Sequence, residues 1–187
     1  MKSEVSETIK TFLGTLGFLF VLLPIFLIGI PYKILPSPNH TLLFDLGVFR
    51  YFGWVPIVVS VVIYFWCSPI FVFIGKGTPI HSAPPKELVV KGLYRFVRNP
   101  MYIAGFLLLA GEVLLFQSKD LIIYLLAMFG VINLFVLAVE EPRLSKNFGG
   151  TYKRYRKSVR RWIPRLTPYR EKDSVSSLPA DELKGCN

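Results

Sequence analysis

The chain has 187 residues, of which 52% are hydrophobic and only 18% charged, with a mean hydropathy of +0.48 and a formal net charge of +10. A single core in a chain of this size cannot enclose that much apolar side chain, which excludes an ordinary water-soluble domain and points to lipid. The positive charge is unevenly placed, with 11 of the 22 Lys and Arg residues between positions 143 and 172, so it reads as attraction to headgroups and positive-inside orientation rather than nucleic-acid binding.

In chain order, residues 11–30 are a run of 20 without a charge. At about 1.5 Å per residue this reaches about 30 Å, the thickness of a bilayer's hydrocarbon core. The run lacks a small-residue cleavage site and reads as a retained helix rather than a signal peptide, kinked at Pro24 and closed by Pro31. Residues 32–50, with Pro36, Pro38, Asn39 and His40, read as a loop. Residues 51–74 form a second expected span, in which Pro56 and Pro69 are tolerable because neighbouring helices can satisfy the freed backbone groups. A Gly- and Pro-rich loop at 75–85 and a mildly basic stretch at 86–99 follow.

Residues 101–116 give a short third span, 117–120 a polar turn, and 121–139 a fourth span. A turn this short makes the last two spans antiparallel neighbours. The fold class expected is therefore all-α, a multi-pass bundle of about four transmembrane helices. Beyond it, Leu144, Phe148, Tyr152, Tyr155, Val159 and Ile163 recur every three or four residues among Lys153, Arg154, Arg156, Lys157, Arg160 and Arg161. That pattern predicts a basic amphipathic helix on the membrane surface, interrupted at Gly149 and Gly150. The domain is expected to occupy 1–171, with 172–187 a Ser-rich disordered tail. Lys76, Lys86, Lys91, Arg95 and Arg98 precede the third span and the basic cluster follows the fourth. Both ends of that hairpin, the C-terminus, and by four-span parity the N-terminus, are expected in the cytoplasm.

Cys67 and Cys186 form no CxxC pair, Cys186 is not placed for prenylation, and His40 and His81 are the only histidines, so neither a metal site nor a disulfide framework is expected. The residues with chemistry lie in two clusters. One is KGLYRFVRNPMY, ending at Tyr102; the other starts at Glu140, Glu141 and Pro142 and runs through FGGTYKRY to Arg165. The hairpin brings them to one side of the membrane. Arg95, Arg98, Asn99, Tyr94 and Tyr102 would then face a carboxylate pair, a set able to hold a zwitterion. Arg and helix N-terminal N–H groups suit a carboxylate, Glu suits hydroxyls or an ammonium, and Tyr suits a ring or a sulfonium. The plain alternative is a set of interfacial anchors beside a solvated Glu pair. Glu112, inside the third span, either lines a substrate path or is a protonated acid near the far interface. Asn133 reads as interhelical glue, and Gly105 and Gly111 as points of close helix approach.

GLYRFVRNPMY followed by EEPRLSKNFGGTYKRYRKSV resembles the isoprenylcysteine carboxyl methyltransferase and phospholipid N-methyltransferase group of membrane enzymes, over residues 86–164. The resemblance implies an S-adenosylmethionine cofactor, held between the last helices and the C-terminal segment over about residues 86–165. Its contacts carry over to Lys86, Glu87, Leu88, Val89, Tyr94, Asn99, Pro100, Met101, Tyr102 and Glu140, with Glu141 completing the acidic pair. Arg98 would meet the cofactor's carboxylate, and Tyr152 and Tyr155 would be walls. NPMY and EEP look closer to the phospholipid enzymes, whereas FGGTYKRYRKSV and IPR look closer to the bacterial prenylcysteine-like branch. Asn99 stands where many relatives have His, and Val136 where eukaryotic prenylcysteine enzymes have Arg. The expectation is an integral-membrane methyltransferase (cell membrane in a prokaryote, endoplasmic reticulum in a eukaryote) acting on a hydrophobic or lipid-linked acceptor. Its partners are membrane lipids, with neither nucleic acid nor metal. A phospholipid amine N-methyltransferase, an NADPH-using sterol-reductase-like enzyme and a non-catalytic membrane scaffold are the alternatives.

Overall fold

The computed structural model describes residues 24–34, 46–75 and 88–170, and among these it is helical throughout, with turns and irregular links between helices. Most of the first expected span, Lys86 and Glu87, and the 172–187 tail lie outside the described residues.

The described part of the first span is a π-helical turn, Ile25–Gly29, continuing into α1 (Ile30–Ile34). Pro31 therefore does not close the helix. The N–H of Ile30 bonds to the carbonyl of Ile25, and this wider turn eases the clash a proline ring makes with the carbonyl four residues before it. A 3₁₀ turn, Gly47–Gly53, leads into α2 (Trp54–Gly75), so ordered helix begins inside the stretch expected to be loop. A second 3₁₀ turn, Gly92–Arg95, precedes α3 (Pro100–Phe116). Pro100 at the first helical position supplies a preset φ, and Asn99 before it is pushed out of the helical region. The α3 helix stops at Gln117, which is left-handed at φ 55°, and Ser118 caps α4 (Lys119–Phe135) by accepting from the N–H of Leu121 at 3.4 Å.

The fourth span was expected to end at Val139. Instead α4 runs through a π-helical turn, Val136–Glu140, into α5 (Glu141–Ser158). Pro142 does not break it, for the reason that applies at Pro31: the N–H of Glu141 reaches back to the carbonyl of Val136. The continuous apolar stretch of this long helix still ends at Val139, and from Glu140 on the helix is amphipathic and basic. The break within α5 comes at Gly149, at φ 51° and ψ −124°, a conformation open to glycine.

Among the described residues, two helices are long and apolar enough to cross a bilayer, Gly47–Ile70 with 24 residues and Lys119–Ser158 with 40, and Pro100–Phe116 is a shorter apolar helix. Their apolar side chains face outward: Val55, Val58, Val62, Phe65 and Trp66 on α2 and Ile123, Leu126 and Leu134 on α4 are exposed. An apolar surface this extensive needs lipid around it.

The α3 helix packs most extensively on α2. Gly53 and Gly111 set the closeness of that approach, since a Cβ on either would lie 2.6 Å from the other's carbonyl oxygen. Ser60 fastens the same seam by donating its hydroxyl to the Ala104 carbonyl at 2.6 Å. Gly105 has no such role, its nearest neighbour being the Leu27 side chain at 3.6 Å. Gly111→Val is expected to destabilise the protein by about 1–3 kcal/mol through overpacking. Thermal unfolding in detergent would show this as a lowered Tm, and an unchanged Tm would mean that the helices do not meet there.

Candidate functional site

Gly92, at φ 56°, turns the chain into the first cluster. A Cβ there would lie 2.6 Å from the Ile70 side chain, so the turn is also closely packed. Past Ser158 the chain doubles back as an irregular strap over residues 159–170. It binds the loop before α3 through backbone hydrogen bonds: Arg98 N–H to Arg160 O at 3.0 Å, Arg165 N–H to Phe96 O at 2.9 Å, and Tyr169 N–H to Arg95 O at 2.9 Å. Arg95 Nε adds a bond to Tyr169 O at 2.8 Å. Under the strap, Tyr152, Tyr155, Val159 and Tyr169 form a buried cluster with Leu88 and Phe148 packed against it. Cys67, Val89 and Tyr94 form another, with Met101 alongside.

These elements bring the two motif clusters together. Glu141, its side chain 5% exposed, accepts from Arg161 Nε at 2.7 Å and Arg98 Nη1 at 2.9 Å, with Arg156 Nη1 at 3.7 Å. The same Arg98 nitrogen donates to the Tyr152 hydroxyl at 3.2 Å. Tyr102 donates its hydroxyl to Glu140 Oε2 at 3.1 Å. The adjacent carboxylates are thereby driven apart. Burial pushes Glu141 up, but the Arg161 hydrogen bond and the charges of Arg98, Arg161 and Arg156 outweigh it and hold this carboxyl below its ordinary range. Burial pushes Glu140 up and the charge of Glu141 adds to this, so the Tyr102 hydrogen bond and the Arg98 charge do not restore it. Glu141 is the anion that ties three segments together, and Glu140 is the more readily protonated of the two.

Beside this pair, two buried N–H-bearing atoms have no hydrogen-bond partner, Arg98 Nε and Asn99 Nδ2. They flank the N-terminus of α3, where orphan backbone N–H groups favour an anion.

Of the residues expected from sequence, Arg98, Tyr102, Glu140, Glu141 and Tyr152 are joined by these contacts, and Asn99 and Pro100 sit between them in sequence. Tyr94 is buried next door, and its carbonyl accepts from the Tyr155 hydroxyl at 2.6 Å. Leu88, Val89 and Met101 place their side chains in the two hydrophobic clusters. Glu112 is buried twelve residues past Pro100, about 18 Å along the helix axis, and does not join the group. Asn133 is fastened not to a neighbouring membrane helix but to the strap, where Trp162 Nε1 donates to its Oδ1 at 3.1 Å. Sequence reasoning missed Arg161, which looked like one more solvated charge, and it missed Trp162. The visible signal was an Arg-Trp doublet, but the apolar period reads on through it to Ile163, whereas the helix ends at Ser158.

The arrangement sets one ionisable carboxylate and a tyrosine beside unfilled donors and an excess of guanidinium charge, which suits a ligand carrying both signs. A family model described as phospholipid methyltransferase matches residues 49–151. The matched stretch takes in both the Arg98–Glu141 and Tyr102–Glu140 pairs and stops short of the strap. No curated protein and no solved structure matches the chain. Since the match covers more than half of the 187 residues, the chain belongs to the phospholipid methyltransferase family of membrane enzymes.

Proposed function

We propose that the protein is an S-adenosylmethionine-dependent methyltransferase that crosses the membrane four times and acts on a hydrophobic or lipid-linked acceptor from a cytoplasmic site. The carrying observation is the Tyr102–Glu140 pair beside the unpartnered Arg98 Nε and Asn99 Nδ2. The donor set fits the cofactor: Arg98, Asn99 and the α3 N-terminus would take its carboxylate, and Glu140 with Tyr102 would face its ammonium or ribose. Once bound, the cofactor supplies a methyl carbon already activated by its sulfonium, so the chain's task is alignment and exclusion of water. Glu141 and Tyr152 act by holding Arg98 in place. The exposed basic face of α5 lies against anionic headgroups.

Two acceptor classes fit, a prenylcysteine carboxylate and a phospholipid amine, and two features favour the amine. Val136 is 1% exposed and offers no cation for a carboxylate acceptor. Glu140, whose carboxyl burial raises, can take the proton that an ammonium must lose before it attacks.

The test is cofactor binding to purified protein in nanodiscs. Glu140→Ala and Tyr102→Phe are each expected to remove a charge-assisted hydrogen bond worth about 1.5–3 kcal/mol, weakening affinity about 10- to 100-fold. NADPH should not bind. Affinity should also fall on acidification, beginning above the ordinary carboxylate range because Glu140 is protonated early. Unchanged cofactor binding in both variants would overturn the site. Incubation of methyl-labelled cofactor with native membranes then identifies the acceptor.

A further inference from the structure

The contact between Trp162 and Asn133 lies outside the Arg98–Glu141 and Tyr102–Glu140 pairs. An amide inside an apolar helix is costly unless bonded, and here its partner arrives from outside the hairpin, on the strap. The indole is held among rings: its centroid lies 5.7 Å from Phe106, 5.7 Å from Phe129 and 6.4 Å from Tyr102, and Phe106 and Phe129 are 5.3 Å apart. Tyr102 and Phe106 are one turn apart on α3, and Phe129 and Asn133 one turn apart on α4, so each pair shares a helix face. The rings therefore fill the seam between α3 and α4. Phe129 is 42% exposed at the outer, lipid side of that seam, while Tyr102 at its inner side bonds Glu140. Spacings of this size are ring-on-ring contact and leave no width for a hydrocarbon chain.

We propose that Trp162 is a displaceable gate and that Phe106, Phe129 and Asn133 behind it form the subsite for the acyl chain of a phospholipid acceptor. This rests on the methyltransferase reading and adds the route by which the acceptor reaches the site. One amide beside two rings matches the boundary between a lipid's chain and its ester: Phe106 and Phe129 take the chain, and Asn133 Nδ2, the end of the amide that the Trp162 bond does not use, donates to an ester carbonyl oxygen. The strap need not leave for this. Backbone bonds at Arg160 and Arg165 anchor it on both sides of Trp162, so rotation of one side chain vacates the indole's place against Phe106, Phe129 and Asn133.

The test measures lipid occupancy and needs no turnover. Full-length protein, Trp162→Phe and Trp162→Ala are released from phosphatidylcholine nanodiscs, and bound phospholipid is counted by native mass spectrometry, with cofactor affinity measured in parallel. Both variants are expected to raise bound phospholipid by at least about fivefold, with Trp162→Ala above Trp162→Phe and cofactor affinity little changed. Adding Phe129→Trp to either variant should refill the seam and reverse the gain. Absence of any gain in Trp162→Phe, which keeps a ring and so the packing, would overturn the gate. So would a joint loss of Tm and cofactor affinity in Trp162→Phe, which would make Trp162 a structural anchor. If the parent protein fails to bind the cofactor while the occupancy gain appears, the methyltransferase reading fails and the lipid subsite stands.

Discussion

Glu141→Ala is expected to destabilise the protein by about 3–5 kcal/mol, the cost of removing one partner from a buried ion pair. The carboxylate is 5% exposed and Arg98 facing it 9%, so the substitution strands a guanidinium away from water. Arg161 loses its partner too, and with it one fastening of the strap. Arg156 is half exposed at 3.7 Å and contributes little to the total. The same carboxylate gives a pH dependence of definite sign. Its folded pKa is held below the unfolded one, so its stabilisation is present above the unfolded value of about 4.3 and is lost as pH falls through the lowered folded value. Glu140 acts oppositely, since its pKa is raised and its ionisation costs stability as pH climbs through the folded value. Chemical unfolding in detergent at graded pH should therefore show an acid-side loss in the parent that Glu141→Gln largely removes. A Glu141→Ala variant within about 0.5 kcal/mol of the parent would show that the three arginines are solvated rather than paired.

The meeting of the two motif clusters was legible because it follows from connectivity. An apolar stretch ending in Phe116, a polar turn and a second apolar stretch make a hairpin, and a hairpin places Arg98 and Tyr102 opposite Glu140 and Glu141. The continuation of two helices was not legible, because Pro31 reads as a helix end and the fourth span reads as ending with its apolar run at Val139. In both places a π-helical turn finishes two residues before the proline, and the residue just before the proline bonds five residues back, Ile30 to Ile25 and Glu141 to Val136. No local propensity announces such a turn, although a π-turn inside a membrane helix is itself a common mark of a working site. The division of labour between the two glutamates was not legible either. It depends on Arg161, which the strap returns to Glu141 from twenty residues on, and long-range return of a chain leaves no periodic trace.

That division bears on Tyr152, whose position in the family motif suggested a wall of the cofactor site. The ring is 2% exposed, in a cluster with Tyr155, Val159 and Tyr169, and its hydroxyl accepts from Arg98. Tyr152→Ala is expected to cost about 3–5 kcal/mol as an aromatic truncation in a packed cluster. Tyr152→Phe keeps the ring and loses one hydrogen bond to a charged donor, about 1.5–3 kcal/mol. If Tyr152 works by holding Arg98, the Phe variant should pay mainly in stability, and its cofactor affinity should fall by less than about tenfold, less than in Glu140→Ala. If the hydroxyl instead touches the cofactor, affinity should drop at least as far as in Glu140→Ala while the unfolding midpoint stays near the parent's. Paired measurements of midpoint and affinity on the two Tyr152 variants separate a support for the guanidinium from a wall of the site, because only the support ties the loss of binding to the loss of fold.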